Sequence, residues 1–269
     1  MPELPEMENY KRLLHPMLRN KTVDAVVINR SKSVNEPENI FMKNITGKEI
    51  IAIDRRAKYL LFHLDSGHVL LLHLMLGGKL FFGKEEDSPD RTKQIIMTFG
   101  EDRLFFIGLR LGYLHILTPA DIEEQLGHLG PEPLDSSFTL DVFKESLTHK
   151  RTNIKNVLLD QDIIAGIGNR YSDEICFEAK ILPKRKTIDL AETEVQALFQ
   201  AIKMVLTEAV AAGGYMDQPL FKGDNQTGRY LPHFKVHGKE GAICPRCGGT
   251  IEMETMASRK VYYCPQCQH

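Results

Sequence analysis

Hydrophobic positions change their spacing twice along the chain. Over the first 20 residues Leu13, Leu14, Met17 and Leu18 recur at helical spacing. Glu3 and Glu6 fall in the first turn of that helix, where the helix dipole favours acids, and Pro5 is tolerated there. From Val23 onward the apolar runs become short and β-branched or Leu-rich. Residues 23–29, 49–53, 59–64, 69–74, 94–99, 104–107 and 113–117 all have strand length. Asp65-Ser66-Gly67 links two of them and reads as a hairpin turn. Many short strands at this spacing predict an antiparallel sandwich or barrel. Residues 118–137 are acidic and rich in Gly and Pro, and read as a connector. Helical spacing returns from 138 to 213, with helices predicted over 140–147, 153–161, 171–178 and 191–212. Residues 213–231 are polar and Gly-bearing, and read as a mobile loop. The chain divides on this reading into residues 1–130, 131–231 and 232–269, an α+β arrangement.

The composition changes little in that picture. Of 269 residues, 42% are hydrophobic and 26% charged, as in an ordinary globular protein. That excludes a disordered, collagen-like or coiled-coil chain. No apolar run approaches the ~18 residues that span a membrane, and the N-terminus is too acidic and polar for a secretory signal. A cytoplasmic location is therefore expected, and nothing points to an oligomer, so a monomer is expected. The net charge of −2 argues, taken bluntly, against an acidic partner. The balance is uneven, however. Residues 150–269 carry 16 Lys and Arg against 14 Asp and Glu, net +2, which leaves −4 on residues 1–149.

The cysteines change the picture more. Four of the five lie in the last 26 residues, unlike a disulfide framework. Cys244-Pro-Arg-Cys247 and Cys264-Pro-Gln-Cys267 are two C-x2-C knuckles with 16 residues between them. Each knuckle presents two thiolates on one side, and two knuckles close a tetrahedral site for one Zn²⁺. A redox dithiol pair is the other reading of a single knuckle. A closed four-thiolate site is structural, so the metal stabilises a hairpin too small to fold alone. Arg259 and Lys260, near the tip of that hairpin, suit a phosphate backbone. Cys176 reads as a buried core thiol.

Two further motifs carry candidate chemistry. Ala165-Gly166-Ile167-Gly168-Asn169 precedes a predicted helix. Glycines there admit an anion close to the backbone, and Asn169 can cap the helix or donate to phosphate. Lys155 on the preceding helix adds a candidate phosphate contact. At the other end, Pro2 follows the initiator Met, and its removal would expose a secondary amine. Such an amine attacks a carbonyl-like carbon, such as C1′ of a sugar, to give an iminium ion. Glu3 beside it can move protons, and Glu6 one turn on can orient the terminus.

Taken together, these residues resemble the formamidopyrimidine-DNA glycosylase / endonuclease VIII family. The likeness is carried by MPELPEMENYKRLL at the start, RRAKYLLFHL around Lys58, HLMLGG at residues 73–78, LLDQDIIAGIGNRYSDE at 158–174 and the closing ASRKVYYCPQCQ. It runs in order along essentially the whole chain. It implies a bilobal α+β enzyme: an N-terminal antiparallel β-sandwich with an N-terminal helix, then a helix–two-turn–helix lobe with a four-cysteine zinc hairpin. The partner it implies is double-stranded DNA containing damaged or abasic sites. A damaged base would be flipped out of the duplex, because its C1′ is unreachable inside the stack. By resemblance Pro2 is the nucleophile, Glu3 the acid/base, Glu6 its support and Lys58 a catalytic-site lysine at the phosphates beside the lesion. His73, Arg110, Lys155, Asn169 and Arg259 are implied phosphate contacts.

Departures from the family pattern bear on the substrate. Its H-L-G-M-[ST]-G motif reads His73-Leu74-Met75-Leu76-Gly77-Gly78, so Leu76 takes the intercalating position. Its D-x-R-R-F-G motif corresponds to Ile107-Gly108-Leu109-Arg110-Leu111-Gly112. Leu111 then stands for the wedge phenylalanine, and Leu109 for the arginine that would bond the orphaned cytosine. Leucines can fill the gap of a flipped base, but Leu109 cannot read a base by hydrogen bonding. Weak opposite-base preference is the expectation. The altered wedge also keeps a second reading, a non-catalytic damaged-DNA-binding protein derived from this family.

Overall fold

A computed structural model describes residues 1–148 and 150–269. The chain forms two compact units, residues 1–128 with 213–228, and residues 129–212 with 229–269. None of the described helices is long and apolar enough to cross a membrane.

The first unit begins with α1 (Leu4–Leu18) and β1 (Lys21–Thr22), β2 (Ala25–Ile28) and α2 (Glu38–Ile45). Then follow β3 (Glu49–Arg56), β4 (Tyr59–Leu64), β5 (Val69–His73), β6 (Lys79–Gly83), β7 (Lys93–Phe99), β8 (Asp102–Ile107), β9 (Tyr113–Leu117) and α3 (Pro119–Leu126). The strands form two antiparallel sheets, in the orders β1-β3-β4-β5-β9 and β2-β7-β8-β6. Alternate residues of both sheets enter one core: Leu60 and Phe62 of β4, Leu70 and Leu72 of β5, and Leu104 and Phe106 of β8. Met7, Tyr10 and Leu14 of α1 close it. At the β4–β5 turn the Gly67 amide donates to the Leu64 carbonyl, with Gly67 at φ +83°.

Besides strand β6, which the sequence reading did not predict, three details differ from it. Residues 118–137 are not all connector, because α3 opens there. Thr118 caps it, Asp121 accepts from the Thr118 amide at 2.8 Å, and Pro119 sits in its first turn. Helix α2 buries only Phe41 and Ile45, too weak a stripe to declare itself. Residues 213–228 belong with the N-terminal unit, not the helical one. Leu220 is buried in the sheet core, and its carbonyl accepts from the Phe82 amide at 2.6 Å. Nonlocal anchors of this kind carry no sequence signature.

The second unit holds α4 (Leu140–Leu147), α5 (Ile154–Leu159), α6 (Asn169–Glu178), α7 (Glu192–Ala211), β10 (Glu252–Met256) and β11 (Arg259–Tyr263). Helix α6 packs against α5, α7 and β11. Strands β10 and β11 pair antiparallel through Ala257-Ser258, whose φ values of 47° and 63° are those of a tight type I′ turn. The hairpin thus folds as part of this unit, with Phe177 of α6 in the same apolar cluster as Cys244, Ile251 and Tyr262.

Candidate active site and nucleic-acid contacts

In the first unit, the start of α1 is buried through Pro2, Glu3 and Glu6. Glu6 holds the terminus from two sides. Its Oε2 accepts from the Glu3 amide at 2.8 Å, and its Oε1 accepts from the Tyr215 amide at 2.8 Å. Tyr215 in turn donates its hydroxyl proton to the Met1 carbonyl at 2.8 Å. Gly214 allows this approach. It has φ +71°, and a Cβ there would lie 2.3 Å from Glu6 Oε1. The loop is fixed further on by Asn9, whose Nδ2 donates to Thr227 Oγ1 at 2.9 Å, and by Asp224, which accepts from the amides of Leu220, Gln226 and Thr227. The segment expected to be mobile is therefore pinned at both ends. Tyr215 and Gly214 were missed because their role exists only through contact with α1.

Lys58 is buried at the two-residue turn between β3 and β4, where Ala57 has φ +51°. Arg55 braces that turn, donating to the Ala57 carbonyl at 3.1 Å and pairing with Glu8 at 2.7 Å. Burial raises the Glu8 carboxyl, but the Arg55 hydrogen bond and charge outweigh it and hold the pKa below the ordinary value. His73 lies opposite Tyr59 and Tyr113 in the sheet register, with ring centroids at 4.6 and 5.8 Å. Burial, and then the Lys58 charge, push its pKa down to about 4. The ring is neutral at pH 7, so any phosphate contact it makes is a hydrogen bond and not an ion pair.

Leu76, Arg110 and Leu111 lie in two loops that touch. A Cβ on Gly108, at φ +72°, would meet the Gly77 carbonyl oxygen at 2.3 Å. The two leucines are 62% and 61% exposed, the most exposed large apolar side chains of the first unit among the described residues. Leu109 is the reverse, at 0% exposure within the sheet core. Its amide donates to Gln94 Oε1 at 2.9 Å, and its carbonyl accepts from Ser33 Oγ at 3.2 Å. It is a core residue, not a side chain that fails to reach a base.

In the second unit the phosphate role expected of Lys155 is corrected. It is 1% exposed, and Nζ donates to Asn169 O at 2.8 Å, Ser172 Oγ at 2.8 Å and Asp173 Oδ1 at 2.5 Å. All three ammonium protons are used internally. Asp173 Oδ2 lies 2.6 Å from His237 Nδ1, and Glu174 accepts from the amides of Lys235, Val236 and His237. Asn169 does not cap α6, because Gly168 holds the capping position. Asn169 Nδ2 donates instead to the Lys260 carbonyl at 3.0 Å, which joins the glycine turn to the hairpin. Gln161, which the sequence did not flag, clamps that turn. It accepts from the Gly166 amide at 3.0 Å and donates to the Ile167 carbonyl at 2.9 Å. Arg259 is exposed directly after the hairpin turn.

Cys244, Cys247, Cys264 and Cys267 place all four sulfurs within 4.8 Å of one another. Cys244 to Cys267 is 3.8 Å and Cys247 to Cys264 is 3.5 Å. A tetrahedron with Zn–S of ~2.3 Å has edges of about 3.8 Å, so the donor set fits one structural zinc.

Residues 1–113 match the formamidopyrimidine-DNA glycosylase N-terminal domain, residues 129–218 its H2TH domain, and residues 241–269 the zinc finger found in FPG and IleRS. The formamidopyrimidine-DNA glycosylase of Carboxydothermus hydrogenoformans is 38% identical over 269 residues, and that of Listeria innocua 37% over 273, each alignment covering both chains completely. The complex of Lactococcus lactis Fpg with abasic-site DNA matches at TM-score 0.92 and 30% identity over 99% of each chain. A complex of a mutant of the same Fpg with Fapy-dG-containing DNA matches at TM-score 0.92 and 30% identity over both chains in full. On sequence and fold alike, the chain belongs to the formamidopyrimidine-DNA glycosylase family.

Proposed function

We propose that this chain is a bifunctional DNA repair glycosylase and abasic-site lyase that excises oxidatively damaged bases, with Pro2 as the nucleophile. The observation that carries this reading is the double grip of Glu6 on the Glu3 and Tyr215 amides, which fixes the chain terminus. Removal of Met1 converts the Pro2 nitrogen from a non-nucleophilic amide to a secondary amine. That amine attacks C1′ of the flipped nucleotide, the glycosidic bond breaks with its electron pair leaving on the base, and the amine's N–H proton passes to the departing base. Glu3 delivers a proton to the sugar ring oxygen as the C1′–O4′ bond opens, leaving an iminium ion. Loss of a C2′ proton then expels the 3′ phosphate, and a second elimination expels the 5′ phosphate. Lys58 and His73 would hold the phosphates beside the lesion, the first by charge and the second by hydrogen bond. Arg110, Asn169 and Arg259 would hold others. Leu76 and Leu111, exposed and apolar, would fill the space left by the flipped base. Four thiolates would hold zinc and keep the hairpin folded. The DNA substrate and bacterial relatives support a cytoplasmic, nucleoid-associated location.

Borohydride trapping on a duplex with one abasic site tests the reading. Protein whose mass confirms loss of Met1 is expected to give a covalent adduct and a nicked strand. An uncleaved N-terminal extension abolishes both, and Pro2→Gly suppresses them. Mature protein that binds the duplex but gives neither adduct nor nick would instead be the non-catalytic damaged-DNA binder.

A further inference from the structure

We propose that Arg91 reads the base opposite the lesion, in place of the arginine that Leu109 displaces. The inference rests on the DNA-repair reading above and deepens its specificity. Five observations carry it. Leu109 is sealed in the sheet core with both backbone groups engaged, so that position presents nothing to DNA. Leu76 and Leu111 mark where apolar side chains stand out from the first unit. Beside Leu76 opens a cavity of about 290 Å³, lined also by Gly77, Arg91, Thr92, Gln94 and Arg110. Gln94 Oε1 is already spent on the Leu109 amide, which leaves the two guanidinium groups as the charged donors of that wall. Arg91 is exposed, and among the described residues no carboxylate forms an ion pair with it. Arg110, by family resemblance, is committed to phosphate.

The chemistry selects the base. A guanidinium offers two parallel N–H donors in a rigid fork. On the Watson–Crick edge only cytosine presents two adjacent acceptors, N3 and O2. Thymine and guanine interpose an N–H, and adenine has a single ring acceptor beside its amino group. A neutral or monodentate donor would not discriminate in this way. Arg91 therefore restores the cytosine preference that the leucine at position 109 removes.

The test is equilibrium binding of the zinc-loaded full chain to duplexes carrying an uncleavable tetrahydrofuran abasic analogue opposite C, T, A or G. Binding needs no chemistry, so the result is independent of whether borohydride trapping succeeds. Wild type is expected to bind the cytosine duplex about tenfold or more tightly than the other three. R91A is expected to raise the cytosine Kd to the level of the others, and R91K, which lacks the fork, to do nearly the same. R110A should weaken all four together. Equal wild-type affinity for the four duplexes would overturn the proposal. So would a uniform loss in R91A with a shallower salt dependence, because that marks a phosphate contact. A matching melting temperature for R91A confirms that the variant is folded.

Discussion

Lys155 shows how a residue's chemistry depends on where its side chain ends. Sequence context made it a phosphate ligand, but the ammonium is buried against Asp173, Ser172 and the Asn169 carbonyl. Removing Lys155 strips Asp173 of its buried ammonium and leaves it only the His237 contact, and losing one partner of a buried ion pair costs roughly 3–5 kcal/mol. Lys155→Met is therefore expected to lower the melting temperature sharply while leaving the salt dependence of DNA binding unchanged. Arg259→Ala should do the opposite, reducing the slope of log K against log salt by about 1 with little change in melting. A reduced slope in folded Lys155→Met would restore the phosphate assignment.

His73 makes a second prediction at the same scale. Its pKa is pushed down to about 4, below the ordinary 6.5, chiefly by burial and then by Lys58. The unfolded chain therefore takes up a proton at a pH where the folded chain does not. The stability from keeping the ring neutral is present above about pH 6.5 and is lost as pH falls toward 4, by up to about 3 kcal/mol. Chemical denaturation between pH 7 and pH 4.5 should show this loss, and His73→Gln should flatten it. DNA affinity should show no inflection near pH 6.5 from this ring.

Elements differed in how much of themselves they displayed. Helix α4 and strands β4 and β9 were legible to the residue, because each carries its own periodicity and end signals. Helix α3 was legible in principle, since Thr118-Pro119-Ala120-Asp121 is a capping box, but the Gly and Pro downstream masked it. Strand β6 was not, because KLFFG is short and draws its order from its partner β8. The hairpin of β10 and β11 is the element whose prediction is sharpest. Its apolar cluster contains three of the four cysteines, so stripping the metal should unfold it locally. Hydrogen exchange after chelation is expected to rise across residues 252–263 and to stay unchanged in β4 and β5. DNA binding should fall in parallel. Unchanged exchange in the hairpin would show that zinc is not its fold determinant.

At the scale of the whole molecule, the net charge of −2 neither excludes DNA nor describes the surface that meets it. What counts is the placement of a few cations and neutral donors, and Lys155 must now be struck from them. The salt slope of DNA binding should accordingly reflect only a handful of phosphates. The chain's own order of residues was enough to determine the α+β class, the strands with strong alternation and the zinc ligands, and to single out Pro2, Glu3 and Glu6 as the proposed reagent end. Those rest on local spacing and side-chain chemistry, which need no partner to be read. Tertiary structure alone decided that 213–228 folds onto the N-terminal helix, that Lys155 is an internal strut, that burial pushes the His73 pKa down and that Leu109 belongs to the core while Arg91 stands outside it. Each of these depends on residues far apart in sequence meeting in a low-dielectric interior or being kept out of one, and burial of that kind leaves no local pattern in the chain.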